Sequence, residues 1–176
     1  YFTPSDRLIQ KSYEDKKAYN SDIIDRYQGG ELLNKDSIHQ SDTTQFYTKL
    51  EKRVVFGGGG ITPDVFVPID TTYLSESYIS LRQVLPQYIY RYAESHVNEL
   101  SKMSLENFRE KFIVDEMMLN EFLKFGEENG TKVDPEDFDK IKENVKVLLK
   151  ARLARNLFKE DGFYTIWNDS DEVVKA

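Results

Sequence analysis

The 176 residues carry 24 basic and 31 acidic side chains, a net charge of −7 with both histidines neutral, and no cysteine. At roughly 150 residues per domain this is one domain, or one and a small appendage, long enough to bury a real core. The missing cysteines exclude disulfides, thiolate metal sites, a cysteine nucleophile and a dithiol redox motif. Basic residues dispersed among more numerous acids argue against the phosphate-neutralising clusters of a nucleic-acid binder, so no nucleic acid is expected as a partner. No apolar run approaches the roughly 18 residues that cross a bilayer, so no membrane span is expected in this chain. Eleven Tyr and eleven Phe argue against a wholly disordered chain, because such chains are poor in aromatics.

Two textures meet near Asp70. Residues 1–70 hold six of the nine glycines and three of the five prolines, with nine basic against eleven acidic side chains. Residues 71–176 hold three glycines, with fifteen basic against twenty acidic side chains, and read as nearly continuous helix. The expected class is α+β: short strands and a long loop, followed by a mostly α-helical bundle.

In the first part, Arg7 to Ile9 reads as a short strand, followed by a long polar excursion from Lys11 to Thr44. So long a structureless loop is uncommon in a compact domain. A helix over Asn20 to Gln28, with Ile23, Ile24 and Tyr27 on one side and Gly29-Gly30 at its end, breaks it up. Phe46 to Leu50 and Lys52 to Phe56 read as the arms of a hairpin. Asp64 to Ile69 alternates Val65, Val67 and Ile69 in the period of a half-buried strand, and Pro68 puts that strand at an edge or at its end.

The second part is helical by period and by capping. Tyr78, Leu81, Leu85, Tyr88, Ile89 and Tyr92 share one helical face that continues to Val97 and Leu100, and Pro86 predicts a kink or two successive helices. Ser104 caps a short helix carrying Leu105, Phe108 and Phe112. Asp115 caps the next, with Met118, Phe122 and Phe125 inward, closing near Gly130. Asp134-Pro135 is the strongest start signal: an acidic cap, a proline at the first helical position, then Glu136 and Asp137 at the positive helix end. Phe138, Ile141, Val145, Leu148, Leu149 and Leu157 carry an apolar stripe to about Phe158. Gly162 then breaks the helix before the aromatic patch Phe163, Tyr164, Ile166 and Trp167.

Side chains capable of chemistry are sparse. The run Gly57-Gly58-Gly59-Gly60 invites a phosphate-loop reading, but Ile61-Thr62-Pro63-Asp64 follows where such a loop needs lysine, a hydroxyl residue and a helix start. It reads instead as a tight loop of positive φ angles that lets backbones approach closely. His39, flanked by Asp36 and Asp42, and His96, which shares a helix face with Glu99, lie far apart, and neither belongs to a zinc-binding pair. The carboxylates Glu127-Glu128 and Asp134 to Asp139 read as helix ends and solvated faces. Ser5, between Pro4 and Asp6, reads as a turn hydroxyl rather than a nucleophile. From the residues alone, catalytic, cofactor-binding and metal-binding sets are all empty, and no cofactor is expected.

The segment Arg53-Val54-Val55-Phe56-Gly57-Gly58-Gly59-Gly60-Ile61-Thr62-Pro63-Asp64-Val65 resembles the end of the catalytic core in carboxy-terminal processing peptidases, the tail-specific serine proteases of family S41. The opening Tyr1-Phe2-Thr3-Pro4-Ser5-Asp6-Arg7-Leu8-Ile9-Gln10 resembles that family's strand and turn just beyond its catalytic lysine, with Asp6 where the family usually has glycine. Lys150 to Phe158 and Gly162-Phe163-Tyr164 resemble the helical extension of members from Bacteroides-like bacteria. The resemblance implies a serine-type endopeptidase with a Ser–Lys dyad, often preceded by a PDZ domain, acting in the periplasm or cell envelope. Its lysine amine, with a pKa lowered by burial, is the general base for the serine.

Both dyad residues are expected upstream of Tyr1, since neither the Gly-Ser turn nor the Gly-Lys-Gly context occurs here. The chain also opens on Tyr1-Phe2-Thr3-Pro4 without an initiator Met or a leader, as expected for the tail of a longer protein. Residues 1–70 then complete the peptidase core and 71–176 form an appended helical domain, inactive alone. Expected partners are protein or peptide substrates, reached through the missing catalytic and PDZ parts, with a homo-oligomer as a further possibility. The alternative is a non-enzymatic helical interaction module that uses an aromatic face around Tyr88 to Tyr92 or Phe163 to Trp167.

Overall fold

The computed structural model describes residues 2–10, 13–38, 44–57, 60, 61 and 63–176. Helices dominate, and the one sheet among the described residues is a two-stranded antiparallel ribbon. The chain divides into two compact units, Tyr1–Ile69 and Asp70–Ala176.

The first unit is built from turns. Thr3 to Arg7 closes a small hairpin: the Asp6 N–H donates to Thr3 O at 2.9 Å and the Thr3 N–H to Arg7 O at 3.0 Å, while Phe2 and Leu8 form an antiparallel bridge. Among the described residues that isolated bridge takes the place of the expected strand Arg7 to Ile9. Helix α1 (Lys16–Gln28) starts four residues earlier than the sequence suggests, because Asp15 caps it by accepting from the Lys17 and Ala18 N–H groups. Strands β1 (Gln45–Tyr47) and β2 (Val54–Phe56) pair in the register Gln45↔Phe56, Phe46↔Val55, Tyr47↔Val54. These arms are shorter than expected. Thr48 turns the chain early by taking the Arg53 N–H on its hydroxyl, and Lys52 adopts φ 56.

The expected strand over Asp64 to Ile69 does not form. Pro68 has no N–H to offer, and among the described residues the long-range backbone bond of this stretch runs from the Ile69 N–H to Leu32 O at 2.9 Å. Among the described residues the first unit buries no large apolar side chain. The face of α1 that carries Ile23 and Ile24 is open, and Leu50, Val54, Ile61 and Val65 are exposed.

The second unit holds the core. Asp70 caps a 3₁₀ turn (Thr71–Leu74) by accepting from the Thr72 N–H, and its other carboxylate oxygen accepts from Asn144 Nδ2 at 2.9 Å. Helix α2 (Glu76–Ser95) buries Tyr78, Leu81, Leu85, Tyr88 and Ile89 at helical spacing. Pro86 lies inside it without splitting it, on the exposed face, where the carbonyl it leaves unpaired can be hydrated. Short α3 (Val97–Leu100) buries Leu100 and leaves Val97 exposed.

Helices α4 (Leu105–Lys111) and α5 (Glu116–Glu128) begin at the caps Ser104 and Asp115, which accept from the Asn107 and Met118 N–H groups. Helix α6 (Pro135–Asn168) begins at Asp134, which accepts from the Asp137 N–H. Helix α2 packs chiefly on α6, with α5 against α2 and α4 against α6. The starts of α2 and α6 are tied together: Ser77 Oγ accepts from the Asp134 N–H at 3.2 Å, and Asp137 Oδ2 from the Ser77 N–H at 3.3 Å. Hydrogen bonding from Ser77 also holds the Asp137 carboxyl below its usual range.

The break in α6 lies at Lys159 (φ 62, ψ −148) rather than at Gly162. Gly162 answers a different need. A Cβ on it would stand 2.4 Å from Ala154 O, so only glycine fits where the chain doubles back on the preceding helix. Helix α7 (Glu172–Lys175) ends the chain.

Candidate functional site

Two places gather polar groups, one in each unit. In the first unit, the two segments that carry the peptidase resemblance lie against each other although about fifty residues separate them. Arg7 Nη1 donates to Phe56 O at 3.2 Å, and the Gly60 N–H donates to Ile9 O at 3.0 Å. Arg53 and Asp64 pair across the glycine run, as two neighbours at either end of one loop. Asp6 sits at φ 60, the left-handed region that glycine enters without steric cost. The Ser5 hydroxyl lies 2.9 Å from the Thr3 hydroxyl and belongs to the turn.

Gly60, at φ 93, has no atom within 4 Å of where a Cβ would stand, so its conformation, not crowding, asks for glycine. Gly58, Gly59 and Thr62 lie outside the described residues. One polar atom stands out: Arg7 Nε is buried without a hydrogen-bond acceptor among the described residues.

In the second unit, an open groove of about 490 Å³ is lined by Arg109 of α4 and by Asp161, Tyr164, Thr165, Asn168 and Asp169 around the end of α6. Arg109 grips Asp169 with two bonds, Nε to Oδ2 at 2.7 Å and Nη2 to Oδ1 at 2.6 Å. Beside it, Lys150 Nζ donates to Arg109 O at 2.7 Å, satisfying a carbonyl in the last turn of α4. Burial pushes the Lys150 ammonium below its usual range, against the pull of Asp169 and with a further push from Arg109. The groove offers hydroxyl, amide and carboxylate groups but no nucleophile paired with a base. Of these residues the sequence singles out only Tyr164, within the aromatic face Phe163 to Trp167, and not the polar groups around it. Their signal is the spacing of 161, 164, 165 and 168, which puts them on one helical face; Arg109 comes from sixty residues away.

The remaining candidates are satisfied structurally or dispersed. The His96 ring stacks on Tyr92 at 4.1 Å, with Nδ1 3.0 Å from Tyr92 O and from Ser95 Oγ. His39 and Asp42 lie outside the described residues. Among the described residues no group of three or more His, Asp or Glu side chains could hold a metal ion. Among the described residues no helix is long and apolar enough to cross a membrane. Of the aromatic faces, Tyr88 is buried with its hydroxyl donating to Met118 O at 3.1 Å. Phe163 and Trp167 stack on each other at 5.6 Å, with Arg152 and Arg155 over the Phe163 ring.

A protein-family model described as a family of unknown function, DUF8443, matches residues 77–159, from the start of α2 to the break in α6. No curated protein matches the chain, and no solved structure does.

Proposed function

We propose that this chain is the C-terminal part of a serine-type endopeptidase of the S41 kind, whose serine and lysine lie upstream of these residues. The observation that carries the reading is the junction in the first unit. The two segments that resemble the peptidase family are joined by the Arg7–Phe56 and Gly60–Ile9 hydrogen bonds, as parts of one folded core would be.

Two further features support it. The described residues of 2–69 leave large apolar side chains exposed beside a two-stranded ribbon, and Arg7 Nε is a buried donor without an acceptor among the described residues. Both fit the reading, since buried polar groups are ordinarily paired and a two-stranded ribbon is marginal alone. In the complete enzyme the lysine amine takes the serine proton and the serine oxygen attacks the scissile carbonyl. The residues described here shape that core and carry no catalytic role.

The test compares the chain alone with the same chain preceded by its natural upstream sequence, both offered an unstructured polypeptide. The longer protein is expected to cleave it and to lose cleavage when the serine of an upstream Gly-Ser turn is changed to alanine. Turnover by the 176 residues alone, or an upstream sequence without the Gly-Ser turn and Gly-Lys-Gly strand, overturns the reading.

A further inference from the structure

We propose that the segment after Lys159 is a hinged arm that two copies of this chain exchange. The inference rests on the second unit alone and stands apart from the peptidase reading. The hinge is Lys159, whose φ of 62 with ψ −148 is a conformation that residues bearing a Cβ seldom adopt. Around it, Asn156-Leu157-Phe158-Lys159-Glu160-Asp161 contains neither proline nor glycine, so the local sequence is compatible with an unbroken helix. Straightening α6 relieves Lys159 and removes the tight approach of Gly162 to Ala154 O.

Opposing this is what the arm touches when folded back. Ile166 is buried, the Trp167 ring lies 6.0 Å from Tyr73, and Asp169 holds Arg109 through two bonds. Tyr73 and Arg109 belong to the body of the unit, and Ile166, Trp167 and Asp169 to the arm. A chain that straightens alone loses these contacts. Two chains that straighten together regain them, because each body meets an identical arm, and both hinges relax. The occupant of an emptied arm site is therefore a second copy of this chain, and the exchange grows with concentration.

The absence of cysteine makes the test clean. R109C and D169C single variants are mixed, concentrated and treated with a bismaleimide of a length that closes the R109C/D169C double variant within one chain. Light scattering after size exclusion is expected to show a dimer that grows with concentration, and the crosslinked product to pair one R109C chain with one D169C chain. Lys159→Gly, which adopts the hinge freely and weakens the straight helix, is expected to lower dimer association about tenfold or more. A chain that stays monomeric into the millimolar range overturns the proposal. So does a dimer without the mixed product, or one whose population Lys159→Gly leaves unchanged.

Discussion

Tyr78 and Tyr88 are 1% and 5% exposed, and burial pushes both phenols up, Tyr78 to about 12. A phenol whose pKa is higher folded than unfolded contributes stability that is complete below the unfolded value of 10.0 and lost as pH rises through the folded one. The unit is therefore expected to lose about 2 kcal/mol through Tyr78 between about pH 10 and 12. Urea melts across that range, read beside tyrosinate absorbance, measure it; Tyr78→Phe should flatten the slope, and an unchanged slope refutes the assignment. The inward direction of both rings is legible in the sequence, because it follows from helical period. The partner of the Tyr88 hydroxyl, Met118 O, is not, because it lies thirty residues on and depends on how α5 meets α2.

Helix starts are legible for a local reason: Ser104, Asp115 and Asp134 each cap the N–H three residues ahead. Features set by distant packing are not. Pro86 reads as a break, yet it occupies the solvent side of α2, and that side is decided by what the other face buries. Replacing it with alanine restores one helical hydrogen bond and is expected to stabilise the unit by about 1–3 kcal/mol. A thermal melt that fails to rise would mean the proline shapes the packing of α2. The bend at Lys159 left only an indirect mark, the glycine three residues later. Val65, Val67 and Ile69 alternate as a strand does, but alternation supplies no neighbour to pair with. In the same way, the groove at Arg109 joins two helices that only the fold brings together.

At the scale of the whole chain, the described apolar core lies entirely between Tyr78 and Ile166. Residues 70–176 expressed alone are therefore expected to unfold in one cooperative transition, and residues 1–69 alone to show none, by circular dichroism against urea. A sigmoidal melt from 1–69 would mean that a core forms there. The division near Asp70 is visible in the composition, since glycine and proline thin out where the helices begin. The peptidase reading proposed for residues 1–70 rests on resemblance, because no nucleophile or base among them announces it.

The bare apolar side chains of residues 2–69 also bear on the fate of this chain in a cell. Leu50, Val54, Ile61 and Val65 stand in the open, the kind of segment that chaperones hold and degradation machines seize. Limited proteolysis is therefore expected to cut within residues 2–69 first, while the helices beyond Asp70 resist digestion.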